Sequence, residues 1–238
     1  MENQNNHRRV LVLGIVVDSV SVPRAVEISQ DYINNDYFNF VLLAGAQLAM
    51  ESQKSEDMKK FVDEADLILP GDHNIEKAVE QETEESFQSA YLDSLLTDLA
   101  EKKGHVCVLC DIEQVVEDME KYILEDYPGL KVDSVIYEQD DEESLEALVN
   151  KINGYFPDLV LPLVSLKKQQ LLLQAHKETI STKLFIGSET LSEQIIGDDK
   201  DSPKIVKWIM KHLHLGKEAV DNEFWQKFNE EQENRNSK

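Results

Sequence analysis

The strongest constraint in this sequence is a set of short apolar segments with no polar face. HVCVLC (105–110), LVLPLV (159–164) and FVLL (40–43) carry apolar side chains at consecutive positions. Successive residues of a strand point to opposite sides of a sheet. Such segments therefore belong to strands buried on both faces, as in a mostly parallel sheet covered above and below by helices. Between them lie stretches with apolar residues at helical spacing. SVPRAVEISQDYIN starts a helix near Pro23, and AYLDSLLTDLAEKKG stops at Gly104. IEQVVEDMEKYILEDYPG, SLEALVNKING and LKKQQLLLQAHKETI follow the same pattern. The fold class expected is α/β, a mostly parallel sheet with helices on both faces, Rossmann-like.

The remaining segments fill in this alternation. VLVLGIVV (10–17) reads as one buried strand, and ADLILP (65–70) as a short strand ending in the turn Pro70-Gly71-Asp72. KVDSVIY and TKLFIG add strands, and NFVLLAGAQLAM passes from a strand into a helix that continues to about Lys60. EKAVEQETEESFQ (76–88) is mostly polar and reads as an exposed helix or loop, and the acidic run EQDDEE sits at a helix start, where the helix dipole favours it. PKIVKWIMKHLHLG closes the regular part ahead of a polar, frayed tail. The boundaries expected are a disordered N-terminus at 1–8, an α/β domain at 9–200, a C-terminal helical appendage at 201–228 and a disordered tail at 229–238.

Bulk properties narrow the function classes. The 238 residues, 41% of them hydrophobic, suffice for one sizeable core. With 47 acidic and 24 basic residues the net charge is −23, a surface that repels nucleic acid. No apolar run approaches the ~20 residues of a membrane span, and MENQNNHRR lacks an apolar signal core. A cytoplasmic location is expected. Cys107 and Cys110 are three apart in a strand, so they point to opposite faces and neither pair nor share a metal. His212 and His214 diverge on their helix, and Asp198, Asp199 and Asp201 lack the glycine of a calcium loop. No cofactor is expected.

Ligands of open parallel sheets bind beyond the carboxyl ends of the strands. The residues that fall there are Gly45 and Gln47 after VLLA, Asp72, His73 and Asn74 after LILP, Asp111 after CVLC, and Ser165, Lys167 and Lys168 after LPLV. Asp72 and His73 offer an acid/base pair on a turn. The competing interpretation is an ordinary turn, with Asp72 or Asn74 capping the next helix. Lys167 and Lys168 can meet a phosphate or lie on a solvated helix start. Residue chemistry alone leads no further than this.

The ordered segments resemble a family. RVLVLGIVVDSVSVPRAVEIS, KFVDEADLILPGD, EKKGHVCVLCDIEQVVEDMEKYILEDYPGLKV and INGYFPDLVLPLVSLKKQQ follow, in order and spacing, elements of the bacterial WecG/TagA/CpsF glycosyltransferases over about residues 9 to 210. The resemblance implies transfer of N-acetylmannosamine or a related hexosamine from a UDP-sugar to an undecaprenyl-diphosphate-linked sugar, in surface-polysaccharide synthesis. On this resemblance Asp72 would be the catalytic base. His73, Asn74 and Gln47 would orient sugar hydroxyls, and Lys167 or Lys168 would meet the diphosphate. A homo-oligomer, or association with an active glycosyltransferase, is also implied.

The family's functional motifs are changed here. Its Thr-x-Asn falls on Leu43, Ala44 and Gly45, and its Asp-Gly turn on Gly71-Asp72, in reversed order. Its Gly-Gly beside the diphosphate falls on Cys110-Asp111, where a carboxylate would repel phosphates. Pro-Lys-Gln-Glu aligns with Leu166, Lys167, Lys168 and Gln169, and Arg-Ala-Pro with Asp201-Ser202-Pro203. The apolar patterns survive while the polar motifs do not, so a catalytically silent relative stands beside a rebuilt transferase. The C-terminal region, with Trp208, Ile209, Leu213, Leu215, Phe224 and Trp225 among Lys204, Lys207, Lys211 and Lys217, would either attach peripherally to the inner face of the membrane or pack on its own domain.

Overall fold

The computed structural model describes residues 8–81, 86–111, 113–188 and 217–236. Its centre is a six-stranded sheet made of β3 (Asn39–Ala44), β4 (Leu67–Pro70), β5 (His105–Cys110), β6 (Lys131–Ile136), β7 (Leu159–Leu163) and β8 (Leu184–Ser188). The strand order is β4-β3-β8-β7-β5-β6 and every pairing is parallel. The connections are helical. In chain order they are α1 (Val22–Ile33), α2 (Ala46–Ser52), α3 (Glu56–Asp63), α4 (His73–Ala78), α5 (Phe87–Glu101), α6 (Glu113–Asp126), α7 (Glu142–Tyr155) and α8 (Leu166–His176). The last described element is α9 (Lys217–Asn236).

Strand alternation divides the core into two layers. On β3, Phe40, Leu42 and Ala44 face one layer with α2, α3, α7 and α8, while Val41 and Leu43 face the other with α1 and α5. Cys107 and Cys110 likewise lie in opposite layers. Burial pushes both thiols up to about 12, so they stay protonated at neutral pH. The expected α/β architecture is the one observed.

Four local readings change. VLVLGIVV is a hairpin rather than one strand: β1 (Arg8–Val12) and β2 (Ile15–Ser19) pair antiparallel outside the main sheet. The turn needs two left-handed residues, Leu13 at φ 48° and Gly14 at φ 87°, as two-residue hairpin turns do. Asp18 of β2 is buried, and its carboxylate accepts from Ile68 N at 2.9 Å and Arg9 Nε at 3.0 Å, covering the outer strand β4. The helix expected up to Lys60 breaks in two, because Ser55 caps a new start by accepting from Met58 N.

In the segment read as exposed, Glu76, Phe87 and Gln88 are buried, and Glu76 accepts from Phe87 N at the start of α5. Finally, α9 stays helical through Asn236 where fraying was expected. Glu231 accepts from Leu13 N at 2.9 Å and holds that end of α9 on the hairpin. His212, His214, the Asp198–Asp201 loop, Trp208 and most of the basic amphipathic stretch lie outside the described residues. Within α9, Phe224 is fully buried in the core layer that holds α2 and Trp225 packs against that layer.

Candidate functional site

The carboxyl edge of the sheet has two polar corners. At the first, β3 and β4 end side by side, and Gly71 N donates to Ala44 O at 2.8 Å. A Cβ on Gly71 would lie 2.6 Å from the carbonyl carbon and oxygen of Leu43, so only glycine lets the chain turn this close to β3. The turn delivers Asp72 between two helix starts. Its Oδ1 accepts from Ile75 N at 2.9 Å, capping α4, and its Oδ2 accepts from Ala46 N at 2.7 Å, the first residue of α2. Burial raises this carboxyl above the ordinary 3.8; the N–H groups of Ala46, Ile75 and Asn74 pull against that rise, and Asp221 adds to it.

Asn74 is clasped by the C-terminal helix. Its Nδ2 donates to Asp221 Oδ1 at 2.6 Å, and Trp225 Nε1 donates to its Oδ1 at 2.8 Å. Lys77 Nζ sits 5.1 Å from the Trp225 ring centroid, close enough for a cation–π contact. His73 is exposed at the start of α4. Gly45 is buried in an extended conformation ahead of α2, and Gln47 is exposed and donates along the helix to Glu51. The structure thus brings Asp72, Asn74 and Gly45 together, with Gln47 turned along its own helix.

The second corner lies between β5 and β7. The connection after β5 runs toward β6 at one edge, and that after β7 runs toward β8 on the other side. Adjacent strands whose connections diverge define a topological switch point, where open α/β sheets form their ligand crevice. Asp111 and Lys168 meet across it, Oδ2 to Nζ at 2.9 Å. Lys168 Nζ also lies 5.0 Å from the centroid of the Tyr137 ring. Burial, with Asp140 nearby, raises the Tyr137 phenol. Ser165 caps α8 by accepting from Lys168 N, while Lys167 is exposed.

Between the corners stands a buried amide cluster with no obvious trace in the sequence. Gln169 Nε2 donates to Val164 O at 2.7 Å and Ser188 O at 2.8 Å, and its Oε1 accepts from Ser188 N at 3.2 Å. Gln88 Nε2 donates to Ser188 Oγ at 3.3 Å. Asp221 and Trp225 were equally hidden as site neighbours, although Phe224, Trp225 and Phe228 form a compact aromatic group in an otherwise polar tail. Among the described residues no group of three or more His, Cys, Asp or Glu side chains could hold a metal ion.

A six-stranded parallel sheet flanked by helices, with polar residues at the carboxyl ends of its strands, defines a Rossmann-like α/β protein. The family model of the WecG/TagA/CpsF glycosyl transferases matches residues 10–212, and the chain belongs to that family. Membership places it with glycosyltransferases of cell-surface polysaccharide synthesis, whose ligands are a nucleotide-sugar donor and a lipid-linked acceptor. No curated protein matches the chain. Among the described residues no helix is long and apolar enough to cross a membrane.

Proposed function

We propose that this chain is a family member that has given up sugar transfer through Asp72 and works as a binding or scaffold partner of an active glycosyltransferase. The observation that carries this reading is the occupation of both Asp72 oxygens by backbone N–H groups of two different helices. A general base must aim a lone pair at the acceptor hydroxyl within hydrogen-bond reach. Here the carboxylate is oriented by the helices it ties together. Asn74 and Gln47, the side chains placed to orient a sugar, are engaged by Asp221 and Trp225 and by Glu51.

A second reading rests on one observation. Burial raises the Asp72 carboxyl, the direction in which enzymes tune a carboxylate toward base chemistry. Asp72 would then transfer N-acetylmannosamine or a related hexosamine from a UDP-sugar to an undecaprenyl-diphosphate-linked acceptor. Assaying that transfer with the wild type and Asp72→Asn separates the readings. No turnover by either supports the silent partner. Wild-type turnover that a folded Asp72→Asn variant loses establishes the transferase instead. For the partner role, a pull-down from the native host should recover a glycosyltransferase or envelope enzyme, and recovery of neither counts against it.

A further inference from the structure

We infer that Asp111 is an internal counter-anion that closes the β5–β7 crevice to nucleoside diphosphates, a specificity determinant that a single substitution can remove. The inference deepens the silent-partner reading and rests on it. The crevice sits at the switch point of the sheet, where an anionic ligand would be expected. What would attract that ligand is present: Lys168 lies in the first turn of α8, an eleven-residue helix whose N-terminus carries partial positive charge. Asp111 answers that attraction from within the chain, with its Oδ2 on Lys168 Nζ at 2.9 Å.

The pair's geometry separates a plug from a core ion pair. The two side chains are 27% and 30% exposed, so solvent reaches both charges. Lys168 Nζ also lies 5.0 Å from the Tyr137 ring centroid, which keeps its ammonium at the carboxyl edge of β5 and β7. A diphosphate entering here would have to displace a carboxylate of its own sign or lie beside it. Like charges in such proximity are strongly unfavourable at an effective dielectric below that of water. The simple repulsion expected from the sequence is therefore incomplete: Asp111 also removes the one attraction that Lys168 could offer.

Calorimetric titration with UDP tests this in the intact chain. The wild type should bind weakly or not at all at millimolar UDP, and Asp111→Asn should bind at least about tenfold more tightly. Asp111→Gly should show the same gain, so the result does not depend on one variant's folding. Adding Lys168→Ala to Asp111→Asn should return affinity to the wild-type level. Micromolar binding by the wild type, equal affinities of wild type and both Asp111 variants, or a gain that survives loss of Lys168 would overturn the inference. Transfer assays on Asp111→Asn keep the two readings apart. Binding without transfer supports both. Binding with transfer upholds the counter-anion but removes the silent-partner reading, and no gain in binding removes only the counter-anion.

Discussion

At the β3–β4 corner Asp72 is held by two main-chain N–H groups, while at the β5–β7 corner Asp111 is held by a lysine side chain. The first carboxylate joins two helix starts and is roofed nearby by α9 through Asn74. The second pairs, among the described residues, with the Lys168 ammonium across β5 and β7. Both stand at the carboxyl edge of the sheet, yet one belongs to the architecture and the other to the surface. Substitutions should therefore act on stability at the first corner and on ligand access at the second.

The largest effect is expected between the corners. Gln169→Glu sets a carboxylate against the carbonyls of Val164 and Ser188. Burying an unpaired charge this way should cost about 3–5 kcal/mol in equilibrium unfolding. Unchanged stability would mean the amide cluster is loose enough to admit a ligand. Next is Gly71→Ala, whose methyl would meet the β3 backbone at 2.6 Å. It should lose about 3 kcal/mol, because main chain cannot step aside as a side chain can. A mild effect there would dissolve the contrast between a rigid and a compliant corner.

Lys168→Ala should change stability by less than about 1 kcal/mol, as for other solvent-exposed ion pairs. A larger loss in thermal melting would make the second corner structural as well. The smallest effect is electrostatic and lies away from both corners. Asp141 caps α7 by accepting from Ser144 N and Ser144 Oγ, bonds that lower its carboxyl below the ordinary 3.8. Its contribution is present above that ordinary value and is lost as pH falls through the lower folded value. In acid titrations of stability, Asp141→Asn should therefore differ from the wild type near neutrality and converge with it at the acid end.

Much of the fold was legible because its signals are local. In the strand His105–Cys110 every position after His105 is apolar, and α1 announces itself through Pro23 and helical spacing. The hairpin escaped because VLVLGIVV has no polar break, and Leu13 adopts a left-handed conformation that only Gly14 hints at. The site was half legible. That Asp72 could cap α4 followed from the turn sequence, but its bond to Ala46 exists only because β3 and β4 end side by side. The pairing of Asp111 with Lys168, 57 residues apart, has the same origin in strand order. The clasp of Asp221 and Trp225 on Asn74 joins residues 147 and 151 positions apart, which no local pattern encodes.

Asp72 acts as a clamp between two helix starts, and equilibrium unfolding of Asp72→Asn beside the wild type reads that role. An asparagine keeps one accepting oxygen but turns an N–H₂ toward the second backbone donor. A loss of about 1–3 kcal/mol with a single cooperative transition is expected. Unchanged or increased stability, the usual outcome when a residue kept for chemistry is removed, would contradict it.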